Sequence, residues 1–380
     1  MREWRNLWPG GLSEEEYSTL NYIAHCRRGE LGFNAAQCET CKDLEWFPSS
    51  CGNRHCPGCL GPRQAEWSEK VCERLPDCPH FHTVFTIPNQ ARKFFELNYA
   101  RAVNLLFASA TDTLKQFLAN NWGVEGGFFG VYHSWGSQLN RHPHLHMLVS
   151  SGGRELETGK WKQARATYLF PVKAMSRVYG AIFVRMLEEL DGDAEIVWPE
   201  GLESIEARRE WRLSLARSEW VIFNRPTLDS TRAVVRYLAR YTSRIAISNQ
   251  RIKRVDEPSR KVTFEWIDYR NGGRKVECEM EGGKFIRSFA NHLVPKGFRR
   301  IRYYGLLCGS KKRVRSIPGV PTQSIGEKAA EPDIRRCECC GGTSFILTVS
   351  RVRPFDVTDG GPAVKSFSLV TVKRHPPPPG

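Results

Sequence analysis

Apolar residues change their period along the chain. Between residues 81 and 86, Phe81, Thr83 and Phe85 alternate with His82, Val84 and Thr86, and Pro88-Asn89 closes the run, which predicts a strand. From about residue 91 to 120 the period lengthens: Phe94, Leu97, Ala100, Leu105, Ala108 and Leu114 recur at helical spacing. Two strands follow, Phe128 to Trp135 and His144 to Val149, joined through a polar loop as a hairpin. A helix from about Val172 to Leu190 and a strand from Trp220 to Phe223 come next. Asp229 or Ser230 can cap a further helix with Val234, Leu238 and Ala246 on its apolar side. The order strand, helix, hairpin, helix, strand, helix predicts an α+β fold, an antiparallel sheet with helices against one face.

Composition narrows the partners. The 380 residues are 41% apolar and 11% aromatic, a globular balance with room for more than one core. The net charge of +15 points to an acidic partner, nucleic acid or an anionic surface. A membrane is not expected, because no apolar run reaches spanning length and Met1-Arg2-Glu3-Trp4-Arg5 lacks the apolar core of a signal peptide. A soluble, cytoplasmic protein is expected, and there its thirteen cysteines read as metal ligands or buried thiols rather than disulfides.

Four of those cysteines form Cys38-x-x-Cys41 and Cys56-x-x-Cys59, the spacing of a zinc ribbon in which two thiolate knuckles close one tetrahedron. Cys51 and His55 in the same loop, and Cys26 upstream, are further candidate ligands, for this ion or a second one. Arg54 and Arg63 around the second knuckle suit DNA contact. Cys337-x-Cys339-Cys340 resembles half a zinc knuckle, with no second half after it.

The run His142-Pro-His-Leu-His146 carries the sharpest chemistry. His144 and His146, one residue apart on a strand, project from one face, where neutral imidazoles can hold a divalent ion. In the predicted hairpin, His133 lies beside them as the third ligand, with His82 and Gln138 as alternatives. Downstream, Tyr237 and Tyr241 share one helix face and can offer hydroxyl nucleophiles. Arg236, Arg240 and Arg244 form a stripe about 100° round the helix, placed to hold phosphates. Between Lys284 and Gly326 there are ten Lys or Arg and no Asp or Glu. Lys296, Arg299, Arg300 and Arg302 interleave there with Phe298, Tyr303 and Tyr304, a pattern suited to neutralising a backbone and stacking on bases.

The order of cysteine knuckles, H-P-H-L-H strand, Tyr237 to Asn249 helix and Val294 to Gly305 stretch resembles the IS-ninety-one-type rolling-circle transposases of bacterial insertion sequences, the two-tyrosine HUH family. The likeness runs over roughly residues 15 to 310. It implies an HUH-nuclease-like sheet, Mg²⁺ or Mn²⁺ at His144 and His146, Tyr237 and Tyr241 as nucleophiles, and single-stranded DNA at element ends and target as partner. Ser243 stands where the family pattern suggests a histidine. Four segments are expected: a zinc-binding domain over 1–75, the catalytic domain over 76–250, a basic DNA-binding part over 251–326, and a partly disordered tail over 327–380. A homo-oligomer and a nucleoid-associated location fit this reading. A relaxase or replication initiator shares the chemistry, although the zinc ribbon and the lack of a helicase P-loop favour a transposase. A non-catalytic zinc-dependent DNA-binding protein is the alternative of a different class.

Overall fold

The computed structural model describes residues 11–59, 67–164, 169–226, 246–268, 271–309, 311–321, 336–342, 345–349 and 370–372. The chain forms two compact units. One gathers residues 1–61, 281–290 and 324–380, and the other 62–280 and 291–323. The spatial grouping is therefore not the expected linear order of four segments, because the tail returns to the N-terminal unit.

In the first unit, helix α1 (Glu14–Ala24) starts at a capping box. Ser13 Oγ accepts the Glu16 N–H while Glu16 Oε2 accepts the Ser13 N–H, so two otherwise unmatched donors are satisfied. Strands β1 (Phe33–Cys38) and β2 (Leu44–Pro48) form an antiparallel hairpin. On the other edge of β1 runs the late strand Phe345–Val349, from Asn34 opposite Val349 to Cys38 opposite Phe345, and Val370–Val372 pairs beyond it.

The second unit is built on β3 (His80–Thr86), followed by helices α2 (Arg92–Leu97) and α3 (Tyr99–Phe117). The long strands β4 (Val124–Trp135) and β5 (Arg141–Glu155) form the hairpin that the sequence predicts, and β6 (Trp161–Gln163) pairs with the end of β5. After helices α4 (Val172–Glu188) and α5 (Ile205–Arg217), β7 (Ile222–Pro226) joins β3. A separate three-stranded sheet follows, β8 (Ile252–Asp256), β9 (Lys261–Asp268) and β10 (Arg274–Glu281), which the apolar pattern did not predict. Strand β11 (Ile301–Gly305), from the basic stretch, then closes the edge of the main sheet, whose order is β11-β4-β5-β3-β7 with every neighbour antiparallel.

Strand alternation divides the chemistry of this sheet. On one face Phe81, Phe85, Phe128, Tyr132, Leu145, Met147 and Val149 bury against Phe94, Phe107 and Phe183 of the helices. Each such phenylalanine, fully buried, contributes roughly 1.5–3 kcal/mol. The opposite face carries Phe129, Val131 and Leu148, which pack with Val71, Leu75, Leu306 and Ile317 in a smaller cluster. His133, His144 and His146 alternate with core-facing residues and so belong to this second face. Gly305 ends β11 with φ +54, and a Cβ there would lie 2.0 Å from the Gly126 carbonyl oxygen, so only glycine fits that junction. Among the described residues no helix is long and apolar enough to cross a membrane.

Candidate functional site

The long hairpin assembles the histidines by register. His133 on β4 stands directly opposite His144 on β5, and Val131 opposite His146. One nitrogen from each of His133, His144 and His146 lies within 4.8 Å of the others. Their ring centroids are 4.4 Å apart for His133 and His146, 4.9 Å for His144 and His146, and 5.2 Å for His133 and His144. His133 also stacks on Trp135 at 4.8 Å.

Hydrogen bonds orient two of the rings. His144 Nδ1 donates to the His142 carbonyl at 2.6 Å, which fixes the tautomer and leaves Nε2 with its lone pair. His146 Nδ1 lies 2.8 Å from Nε2 of His82, on the neighbouring strand β3, and those two rings are stacked. Burial pulls His144 down to about 4. It does the same for His82, where Arg225 adds to the effect. His142 accepts from Arg92 Nη2 at 3.0 Å and is lowered by burial and by that guanidinium. These imidazoles are neutral near pH 7, the state in which a ring nitrogen can bind a divalent cation. The donor set and its orientation fit such an ion.

His82, a less favoured candidate, thus stands beside the trio, whereas Gln138 is exposed in the hairpin turn. The signal for His82 was its strand phase: it shares a sheet face with His146. Tyr237, Tyr241, Arg236, Arg240, Arg244 and Ser243 lie outside the described residues, as does Arg63. Within the basic stretch, Lys296 and Arg299 are exposed. Arg300 departs from the expected DNA-facing surface: it is buried, with its guanidinium over the Trp135 ring. Arg302 lies over Phe107 and donates to Asn104 Oδ1 at 2.7 Å. The aromatics expected to stack on bases are packing groups instead. Tyr304 meets Phe107 and Phe128, Tyr303 meets Phe129, and Phe298 meets Tyr99 and Tyr132. Strand alternation in β11 sends Tyr303 and Tyr304 to opposite faces of the sheet.

The cysteines regroup. Cys38 and Cys41 do not meet Cys56 and Cys59. Cys56 and Cys59 gather with Cys26 and Cys51, while Cys38 and Cys41 gather with Cys337 and Cys340. In the first set, Cys26 Sγ is 3.5 Å from Cys59 Sγ, and Cys51 Sγ is 3.7 Å from it. The Cys51 N–H points at Cys26 Sγ and the Asn53 N–H at Cys51 Sγ. His55 is buried nearby but is not one of the four. The neighbouring Cys51 thiol holds Cys56 down to about 5, and burial pushes Cys26 up to about 11, so thiolate and thiol crowd one small volume. A cation held by these four cysteines would take the place of the shared protons.

Comparison with known proteins gives the family. Residues 2–87 match a family model described as a transposase zinc-binding domain, and residues 127–315 one described as a putative transposase. The chain is 35% identical over 374 residues to the putative transposase y4qJ of Sinorhizobium fredii, covering 92% of each chain. It is 30% identical over 308 residues to the transposase for insertion sequence element IS801 of Pseudomonas savastanoi pv. phaseolicola, covering 79% of this chain and 72% of that one. The solved conjugative relaxase TrwC in complex with OriT DNA aligns over 42% of this chain and 71% of its own, at 13% identity and a TM-score of 0.22, too slight a likeness to argue from. On its relatives and its two family matches, the chain belongs to the zinc-binding transposases of IS-ninety-one-type insertion sequences.

Proposed function

We propose that this transposase nicks and rejoins single-stranded DNA at insertion-sequence ends through a 5′-phosphotyrosine, with Tyr237 and Tyr241 as nucleophiles and His133, His144 and His146 as ligands of Mg²⁺ or Mn²⁺. The supporting observation is the convergence of three imidazoles on one sheet face, two of them oriented through Nδ1. A tyrosine hydroxyl loses its proton as its oxygen bonds to phosphorus, the bond from phosphorus to the 3′ oxygen breaks, and a 3′-OH leaves. A 3′-OH reverses the step by attacking the phosphotyrosine, so strands are rejoined without a nucleotide cofactor. When bound, the divalent ion supplies compensation for the charge growing on the non-bridging oxygens.

The chain's own residues do the positioning. His82 and the His142 carbonyl hold the imidazoles in their ligating orientation. Arg236, Arg240 and Arg244 flank the tyrosines for phosphates, and exposed Lys296 and Arg299 neutralise the strand backbone. Cys26, Cys51, Cys56 and Cys59 hold a structural zinc in the N-terminal unit. The reaction takes place in the cytoplasm, at the nucleoid.

Incubation with single-stranded DNA bearing an element end tests this reading. A covalent adduct mapping to Tyr237 or Tyr241 is expected, single Tyr→Phe variants should keep nicking without complete transfer, and the double variant should form no adduct. An adduct that persists in the double variant, or that maps to Tyr303 or Tyr304, overturns the assignment.

A further inference from the structure

The knuckle at residues 337–340 belongs to neither matched region, since those span residues 2–87 and 127–315. Its partner lies upstream. Cys38 Sγ is 3.6 Å from Cys340 Sγ, and Cys41 Sγ is 3.6 Å from Cys337 Sγ, between residues 302 and 296 positions apart in sequence. Four sulfurs about 2.3 Å from a tetrahedral zinc are about 3.8 Å from one another. A disulfide would instead bring two sulfurs to about 2.05 Å. The observed spacing is that of ligands around an ion.

The two halves repeat one backbone design. In Cys38-x-x-Cys41 the Lys42 N–H donates to the Cys38 carbonyl at 3.0 Å, and Lys42 is left-handed at φ 64. In Cys337-x-x-Cys340 the Gly341 N–H donates to the Cys337 carbonyl at 2.9 Å, and Gly341 is left-handed at φ 71. Gly342 then runs close under the sulfurs: a Cβ there would lie 3.1 Å from Thr40 Oγ1, 3.2 Å from Cys340 Sγ and 3.5 Å from Cys38 Sγ. The pairing of Phe345–Val349 with β1, which sets Phe345 opposite Cys38, brings the two knuckles to the same end of the sheet.

We infer that Cys38, Cys41, Cys337 and Cys340 form a second tetrathiolate zinc site, closed by knuckles from the two ends of the described chain. Four thiol protons leave as four zinc–sulfur bonds form, with no change of oxidation state. The ion closes a loop that contains every residue of the histidine site, and it ties the late strand to β1. Zinc binding by the N-terminal unit is then not a property of residues 2–87 alone. The inference rests on the zinc-binding family and is independent of the tyrosine chemistry.

Elemental analysis of the purified full chain should give two zinc ions per molecule. The double variant Cys337→Ser/Cys340→Ser should give one, as should Cys38→Ser/Cys41→Ser. Alkylation of the unmodified protein by N-ethylmaleimide, mapped by peptide mass spectrometry, decides the matter even where a variant fails to fold. Cys339 and Cys308, both exposed, should label at once. Cys337 and Cys340 should stay protected with Cys38 and Cys41 until a chelator is added, and then all four should label together. Labelling of Cys337 and Cys340 at the rate of Cys339 in the zinc-loaded protein, two zinc ions retained by the 337/340 variant, or disulfides in place of zinc would overturn the site.

Discussion

Nε2 of His82 lies 2.8 Å from Nδ1 of His146, and the two rings stack with planes 9° apart. A ligating His146 that uses Nε2 carries its proton on Nδ1, and His82, kept neutral by burial, accepts it. Groups that orient a ligand in this way are typically worth 10- to 100-fold in metal affinity. His82→Phe should therefore raise the Mn²⁺ concentration for half-maximal cleavage by about that factor and leave the saturated rate within a few-fold of normal. An unchanged metal titration would remove His82 from the site.

The donor set carries a second expectation. Three imidazole nitrogens suit first-row ions better than Mg²⁺, which prefers oxygen ligands and keeps its waters. Mn²⁺ should half-saturate cleavage at a concentration about tenfold or more below that of Mg²⁺. His133→Asp should narrow this gap by adding a carboxylate, and His144→Ala should abolish cleavage while DNA binding persists. Equal half-saturation by the two ions in the unmodified protein would count against a three-histidine centre.

Much of the catalytic unit was legible because its signals are local. The alternation of Phe81, Thr83 and Phe85 gives β3, the recurrence from Phe94 to Leu114 gives one helix that the chain breaks at Asn98 into α2 and α3, and the phase of His144 and His146 predicts which sheet face they share. The hairpin brings His133 beside them, but the register that sets it opposite His144 goes with an irregularity between His133 and Trp135 that the apolar pattern does not show. Cysteine pairing was not legible, because C-x-x-C spacing specifies a knuckle and leaves open which knuckle it meets. The partner of Cys38 and Cys41 depends on a strand pairing about 300 residues away. Arg302, Tyr303 and Tyr304 misled for a related reason: aromatic and basic residues side by side describe both a base-stacking surface and an edge strand such as β11. Strands β8 to β10 are only weakly buried, so their apolar pattern is faint.

Acid should destabilise the catalytic unit through His292. Its Nε2–H donates to the Leu139 carbonyl at 3.0 Å, and its Nδ1 accepts from Ser134 Oγ at 3.1 Å, so the buried ring is neutral. Burial, together with Arg141 and Arg300, lowers its pKa from 6.5 to about 4. A folded-state pKa below the unfolded value means that the unfolded chain takes the proton first. The contribution of His292 is complete above pH 6.5 and is lost as pH falls towards 4, by at most about 3 kcal/mol. Urea unfolding at stepped pH should show this acid limb, and His292→Gln should make it shallower by one proton. The same slope in the variant would show that His292 does not titrate on unfolding.

Arg251 joins three segments through backbone carbonyls. Its Nε donates to Glu265 on β9 at 2.8 Å, one terminal nitrogen donates to Ala246 at 3.4 Å, and the other donates to Ser137 in the turn between β4 and β5. Ser137 adds its own bond from Oγ to the Ile267 carbonyl at 2.9 Å. The turn belongs to the hairpin that carries His133 and His144, and Ala246 follows Tyr241 by five residues, so one guanidinium couples the histidine strands to the chain leaving the tyrosines. A fixed planar fork can serve three carbonyls, whereas an ammonium on a flexible stem cannot hold the same geometry. Catalysis by positioning is sensitive to displacements near 1 Å, which cost about 100-fold. Arg251→Lys keeps the charge and should lower the cleavage rate by roughly 10- to 100-fold, with DNA affinity and half-saturating Mn²⁺ unchanged. A parallel loss of DNA affinity would make Arg251 a phosphate contact, and a normal rate in a stably folded variant would show that the link does not set the distance between nucleophile and histidines.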